Sequence, residues 1–139
     1  MLTAVETFDL SQILQPAQQP QDARQDAAQW GANLTILKGT WVAQKTSDKK
    51  LYAYVQGATT GLGAAIGLSM YSFRTDANGQ CFLGTSGATA TIRQSPFQTL
   101  PYWKSGIFDP NELVSAADAT VTTNLSIRTL INGMIQIPG

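Results

Sequence analysis

Two carboxylates, Asp109 and Glu112, form the arrangement in this chain that comes nearest to acid–base chemistry. Enzymes that transfer a proton often use a pair of carboxyl groups whose pKa values differ. The same residues also fit the start of a helix, because Asp109 suits the N-cap, Pro110 the first helical position and Glu112 the third. Helix capping accounts for the presence of both carboxylates without a catalytic role, and we prefer this interpretation.

The candidate nucleophiles lack suitable partners. Ser105 follows Lys104, but neighbouring residues in a strand point to opposite faces, which separates the two groups of a Ser–Lys dyad. Cys81 precedes Phe82 and has no adjacent basic residue, which is typical of a small core residue. The chain contains no histidine, so Ser–His–Asp and Cys–His mechanisms are excluded. We therefore expect no enzyme activity, no bound metal and no cofactor.

Glycines at Gly61, Gly63 and Gly67 invite comparison with a phosphate-binding loop. Such loops need glycines at a fixed spacing and a helix directly after them. The spacing here differs from GxGxxG, and residues 71–73 read as a strand. The glycines are better explained by a loop and a β-strand, where small residues would also let subunits approach closely.

Several aromatic residues could stack on sugar rings or on bases. Packing in the core or against a partner is the alternative. The chain has no basic block to support nucleic-acid binding, whereas glycan binding is kept as an alternative. The residues are Trp41, Tyr52, Tyr54, Tyr71, Trp103 and Phe108.

Composition indicates one compact domain. The chain has 139 residues, of which 43% are hydrophobic and only 13% charged, with a net charge of zero. Either a surface rich in Gln, Thr, Ser and Asn or a surface buried in an oligomer explains so few charges. The densest basic spot is Lys49–Lys50, so long-range attraction to nucleic acid or to an anionic membrane has no source. No secretory signal and no apolar run of about 20 residues is present.

The chain divides into an extended N-terminal arm, residues 1–33, and a β-rich domain, residues 34–139. The first 30 residues contain seven glutamines and are interrupted by Pro16 and Pro20. We expect an extended arm with at most one helical turn near residues 22–29. The arm is either a terminus without a role or a segment that orders on a partner by adding a strand to its sheet.

From Leu34 onward, short alternating segments between glycine and proline turns predict strands. The residues Asp76–Gly79 predict a hairpin turn in which Gly79 adopts a positive φ. One short helix is expected over 109–117, and 124–132 is either helical or extended. The fold class is mainly β with minor α, a compact β sandwich or barrel-like domain preceded by the arm. Strands are expected at 34–37, 40–43, 51–55, 64–73, 81–83, 88–93 and 134–137.

Five motifs, taken in order, resemble the lambda-type head decoration proteins of tailed bacteriophages. The resemblance covers about residues 34–139, and the arm more loosely. The region 72–101 is longer here than in the short lambda-type member, and the arm is unusually rich in Gln. The motifs are Glu6–Phe8, Lys49–Val55 with the Gly/Thr loop 57–61, the Ala-rich run 63–67, Tyr102–Phe108 and Arg128–Ile137.

This resemblance implies a homotrimer that binds the major capsid protein at threefold positions of the expanded head. The protein would lie on the outer surface of the virion capsid, would be in the host cytoplasm during assembly, and would stabilise the head against internal DNA pressure. It implies no catalysis and no cofactor. We expect no small-molecule, nucleic-acid or membrane partner, and the alternative hypothesis is a virion-surface or tail-associated glycan-binding module.

Candidate contact residues follow from this hypothesis. The apolar side chains of the arm are expected to bind the capsid: Val5, Phe8, Leu10, Ile13 and Leu14. The bend Trp103–Phe108 and the glycine loop are expected to form trimer or capsid surface, at Gly61, Gly63, Gly67, Trp103 and Phe108.

Overall fold

The computed structural model describes residues 13–16, 23–85, 96–108, 112–114 and 135–136. The protein is mainly β, as the sequence predicts, and the strands of the described residues form two sheets, which is compatible with a β sandwich. The described residues form nine strands: β1 (Arg24–Ala28), β2 (Thr35–Ile36), β3 (Trp41–Gln44), β4 (Leu51–Ala53), β5 (Ala65–Ser69), β6 (Phe73–Thr75), β7 (Cys81–Leu83), β8 (Leu100–Ile107) and β9 (Ile135–Gln136).

The larger sheet has the strand order β1-β8-β5-β3-β4, with β9 pairing in parallel with the end of β8. All of its other pairings are antiparallel. β8 is the longest strand, with eight residues, and it pairs with β1, β5 and β9. It therefore links the N-terminal, middle and C-terminal parts of the described chain.

The smaller sheet has the order β2-β6-β7. Its hairpin between β6 and β7 turns at Asp76–Gly79, as the sequence predicts, and Gly79 has a φ of +80°. The Asp76 carboxylate accepts hydrogen bonds from the main-chain N–H groups of Asn78 and Gln80, at 2.9 and 3.0 Å. Local side-chain chemistry thus fixes this turn.

The chain crosses from one sheet to the other at two places. At one the sequence predicts a single continuous strand, and at the other it predicts two neighbouring strands. The predicted strand 64–73 breaks after Ser69, so that β5 lies in the larger sheet and β6 in the smaller one. The segment 34–43 crosses in the same way. The two crossings are joined by Gly39 N–H donating to Ser69 O at 2.9 Å and Lys38 N–H donating to Ser72 Oγ at 2.9 Å.

Each face of the larger sheet buries an apolar core, because successive residues of its strands point to opposite sides. On one face, Trp41, Leu68 and Trp103 lie side by side across β3, β5 and β8. We call this the outer core, which comprises Leu14, Trp41, Ala65, Leu68, Phe108, Leu113 and Ile135, with Tyr54 and Trp103 packed against it. The inner core lies between the two sheets: Trp30, Ile36, Val42, Leu51, Phe73, Cys81 and Leu100.

Part of the predicted arm belongs to the β domain. Residues Arg24–Ala28 form an edge strand on β8, so the helical turn predicted near residues 22–29 is wrong. Trp30 is only 1% exposed and donates its indole N–H to the carbonyl oxygen of Leu100 at 3.0 Å. An edge strand needs main-chain hydrogen bonds and few apolar side chains, which explains why a polar segment can adopt it.

Some predicted elements lie outside the described residues. These are the strand at 88–93, the segment 124–132 and all of the helix 109–117 except Glu112–Val114. The closing strand predicted over 134–137 is found as β9.

The two valines Val42 and Val55 offer a matched test of the inner core. Val42 is fully buried, whereas Val55 is 49% exposed. Val42→Ala removes two buried methyl groups, so it should lower the free energy of unfolding by about 2–3 kcal/mol, including the cavity left behind. Val55→Ala should change it by less than about 0.5 kcal/mol. Urea unfolding measures both, and equal effects would contradict the assigned burial.

Candidate functional site

The N-terminal segment Ile13–Pro16, which we call the N-terminal anchor, is tied to the domain through both main-chain and side-chain contacts. Leu14 donates its N–H to the carbonyl oxygen of Met70 at 2.6 Å, and its own carbonyl oxygen accepts the indole N–H of Trp103 at 2.8 Å. Ile13 forms an antiparallel bridge with Tyr71. The side chain of Leu14 is completely buried in the outer core.

Three of the predicted contact residues therefore meet in the outer core: Leu14, Trp103 and Phe108. The rings of Trp103 and Phe108 lie 5.9 Å apart with an interplanar angle of 55°, and Phe108 is fully buried. The predicted bend Trp103–Phe108 is instead the second half of strand β8 and the residue after it. Phe108 is thus a core residue in this fold, while Trp103 is half-exposed, and a role of the segment as trimer or capsid surface stays a prediction.

The three glycines of the predicted loop lie in two different environments. Gly67 is buried within β5, where a Cβ atom would collide with the carbonyl oxygen of Trp103 and lie 2.8 Å from the ring of Tyr102. Its lack of a side chain therefore allows the close contact between β5 and β8. Gly61 and Gly63 are half-buried in the loop between β4 and β5.

Of the five arm residues predicted to bind the capsid, two lie among the described residues and three lie outside them. Ile13 is half-buried and Leu14 fully buried within the protein's own fold, so Leu14 is not available to a partner in this conformation. Val5, Phe8 and Leu10 lie outside the described residues. Sequence reasoning missed the anchoring role of Leu14, although the apolar run Phe8–Leu14 ahead of a polar segment was the signal for it.

The residues considered for acid–base or Ser–Lys chemistry take part in structural contacts. Glu112 forms an ion pair with Lys38 at 3.4 Å, while Asp109 lies outside the described residues. Lys104 forms an ion pair with Asp26 at 3.8 Å across the β1–β8 pairing. Both pairs are largely open to solvent, so each adds little to stability.

Cys81 has the environment of a core residue. Its side chain is fully buried in the inner core, and burial, with a smaller effect of the Asp76 charge, raises the pKa of the thiol to about 12. The thiolate that a nucleophile or a metal ligand requires is therefore strongly disfavoured at neutral pH.

The aromatic residues considered for stacking do not form an exposed platform. Trp41 and Phe108 are buried, and Tyr52, Tyr54, Tyr71 and Trp103 are only half-exposed. Tyr52 is further engaged through its hydroxyl, which donates to the Asp48 carboxylate at 2.6 Å and holds the pKa of that carboxyl below its ordinary value. These residues mainly pack within the fold.

Within the described ranges, no three His, Cys, Asp or Glu side chains come together as metal ligands would. The same part of the chain contains no helix with the length and apolar content needed to cross a membrane.

Comparison with known proteins adds no assignment. No protein-family model matches this chain, and no curated protein matches it.

The role of Leu14 in the outer core predicts a large effect of truncating its side chain. Leu14→Ala should lower the free energy of unfolding by about 2–5 kcal/mol, because it leaves a cavity under the N-terminal anchor. Gln15→Ala is the matched control, since Gln15 is exposed in the same segment, and it should change the value by less than about 0.5 kcal/mol. If Leu14→Ala unfolds like the wild type in urea, the anchor does not contribute to the fold.

Burial of Cys81 predicts an inert thiol in the native protein. With the pKa at about 12, a fraction on the order of 10⁻⁴ of native molecules carries the thiolate at pH 8. A thiol-reactive dye should therefore label Cys81 only as fast as the protein unfolds, and rapidly in concentrated urea. The pKa of Cys81 is higher in the native than in the unfolded protein, so the native protein holds the thiol proton more tightly. This difference contributes fully to the free energy of unfolding below the unfolded pKa, and the contribution is lost as the pH rises toward 12. Rapid labelling without denaturant would show that the inner core opens.

Proposed function

We propose that this protein is a bacteriophage head decoration protein, which binds the expanded capsid as a homotrimer at threefold sites and stabilises it against internal DNA pressure. The supporting observation is the placement of the motifs that resemble this family. The motif Lys49–Val55 contains β4, and Arg128–Ile137 contains β9. The motifs 63–67 and Tyr102–Phe108 overlap most of β5 and β8. All four strands belong to the larger sheet, in which β9, β8 and β5 are neighbours and β3 separates β5 from β4.

The N-terminal anchor gives the proposed arm a fixed origin. Twelve residues precede Ile13, and they include the apolar side chains of Val5, Phe8 and Leu10. A chain of twelve residues spans at most about 40 Å. Contacts made by these residues would therefore lie within that distance of the outer core, where Trp103 and Met70 hold Leu14.

Binding through three arms would make attachment much stronger than binding through one. Once one arm of a trimer has bound, the second and third contacts become effectively intramolecular. If each arm adds a strand to the edge of a capsid sheet, main-chain groups on both sides are satisfied. An edge that is exposed only after expansion would select the mature lattice.

Apolar surface suited to contact with a subunit or capsid is present near the turn at Gly39. Leu37 and Val114 are 50% and 55% exposed, and the N–H of Val114 donates to the carbonyl oxygen of Gly39 at 3.2 Å. Large apolar side chains exposed close together are typical of contact surfaces. With few charges in the chain, recognition would depend on shape and apolar contact.

Deletion of residues 1–12 tests the proposed arm without disturbing the outer core. The truncated protein should keep its thermal unfolding temperature, because Ile13 and Leu14 remain. It should no longer sediment with expanded shells of the cognate phage, whereas the full chain should sediment with expanded shells and not with unexpanded ones.

A double substitution in the full-length protein tests the apolar side chains of the arm without shortening the chain. Phe8→Ala with Leu10→Ala should weaken shell binding at least about tenfold, because two apolar contacts are lost from each arm. Thr7→Ala with Ser11→Ala alters the same segment without removing a large apolar side chain and should bind normally. Stoichiometric shell binding by the truncated protein would refute the role of the arm.

A further inference from the structure

A recess of about 170 Å³ opens where the Asp76–Gly79 hairpin meets the start of β4. None of the predicted contact residues lines it. Its lining combines one lysine and four carboxamide side chains with the main chain around Gly79 and the buried Trp30. The polar side chains are Gln29, Lys50, Asn78, Gln80 and Gln98.

Each wall of the recess is fixed by hydrogen bonds. The segment with Gln29 is held on β4, because the N–H of Leu51 donates to Gln29 O at 2.9 Å and Gly31 N–H donates to Leu51 O at 3.0 Å. The wall with Gln98 follows Phe97, which exchanges two main-chain hydrogen bonds of 2.8 Å with Cys81. The hairpin wall is held by the Asp76 carboxylate. The main chain of the recess is therefore preformed, whereas the exposed side chains of Gln29, Asn78 and Gln98 would become ordered on binding.

The recess is rich in donors and its lining contains no carboxylate. Each carboxamide offers two N–H groups, and the Lys50 ammonium offers three. Lys38 and Lys104 form ion pairs, whereas no carboxylate of the described residues lies within ion-pair distance of Lys50.

The neighbouring carboxylate of Asp48 is already engaged. It accepts hydrogen bonds from the Tyr52 hydroxyl at 2.6 Å and from the main-chain N–H of Lys50 at 2.9 Å. The Lys50 ammonium attracts Asp48 electrostatically without forming an ion pair with it, so an anion in the recess would compete with Asp48 for that charge.

Size and shape favour a small group over a whole ligand. A volume of 170 Å³ corresponds to about five or six waters at about 30 Å³ each. Ligand pockets for drug-sized molecules are larger, about 300–1,000 Å³. Trp30 is 1% exposed, so its ring face is closed to stacking with a sugar. A carboxylate with its single negative charge matches one ammonium and several amide donors.

We propose that this recess binds one carboxylate, carried by an acidic side chain that a protein partner inserts. Lys50 supplies the opposite charge, and the amides of Gln29, Gln80 and Gln98 donate hydrogen bonds to the carboxylate oxygens. The site does not depend on the proposed attachment to a capsid, since any protein with a protruding Asp or Glu side chain could use it.

The test uses the full chain, labelled with ¹⁵N, and two probes of nearly the same size, one ending in a carboxylate and the other in a neutral carboxamide. N-acetylglutamic acid α-amide should produce saturable NMR shifts at Gly79, at Gln80 and at the side-chain amides of the lining. N-acetylglutamine amide, its neutral counterpart, should bind about tenfold more weakly or not at all. Lowering the pH below about 4.3, where the carboxyl of the acidic probe gains a proton, should abolish the difference.

Lys50→Gln and Lys49→Gln separate a specific site from general attraction to positive charge. Both remove one charge, but only Lys50 lines the recess. Lys50→Gln should weaken binding of the acidic probe about tenfold, while Lys49→Gln should leave it within about twofold because exposed charges are screened. Equal losses in the two variants, equal binding of the two probes, or the absence of shifts around Gly79 would each overturn the proposal. Unchanged melting temperatures confirm that both variants fold.

Discussion

The structure depends on burial of apolar side chains against both faces of the larger sheet. Trp41, Leu68 and Trp103 lie across three neighbouring strands on one face, and Val42 and Leu51 point into the inner core on the other. A sheet buried on both sides needs cover from elsewhere in the chain. The smaller sheet covers the inner face, while Leu14, Leu113 and Ile135 pack on the outer face. Three distant parts of the sequence are thus required to complete one core.

This requirement connects the fold to the proposed attachment. Because Leu14 completes the outer core, the chain before Ile13 starts from a fixed point on the domain. The indole of Trp103 holds that point by a hydrogen bond between residues 89 positions apart. An arm with a fixed origin loses less freedom on binding than one that begins in a long linker, and this favours cooperative attachment of several arms. Trp103, which the sequence suggests as a contact residue, thus holds the start of the proposed arm.

Local chemistry explains what could be predicted from the sequence. The Asp76–Gly79 hairpin follows from an Asp that caps the turn and a Gly that accepts a positive φ, and short alternating segments indicated most of the strands. The burial of Leu14 and Trp30 depends on partners far away in sequence, Trp103 and Leu100, which no local pattern reveals. The edge strand Arg24–Ala28 was missed because its side chains are polar and its stability comes from main-chain pairing with β8. Phe108 was assigned to a surface because an aromatic residue near Asp-Pro does not indicate which face of the sheet it occupies.

The most direct measurement is an image reconstruction of expanded and unexpanded heads of the cognate phage after incubation with the full-length protein. We expect added density on the outer surface at threefold positions of expanded heads, with three copies at each position and a connection from each domain to the capsid near its outer core. Unexpanded heads should carry none. Expanded heads without added density, or density at positions without threefold symmetry, would contradict the proposal that this protein is a head decoration protein.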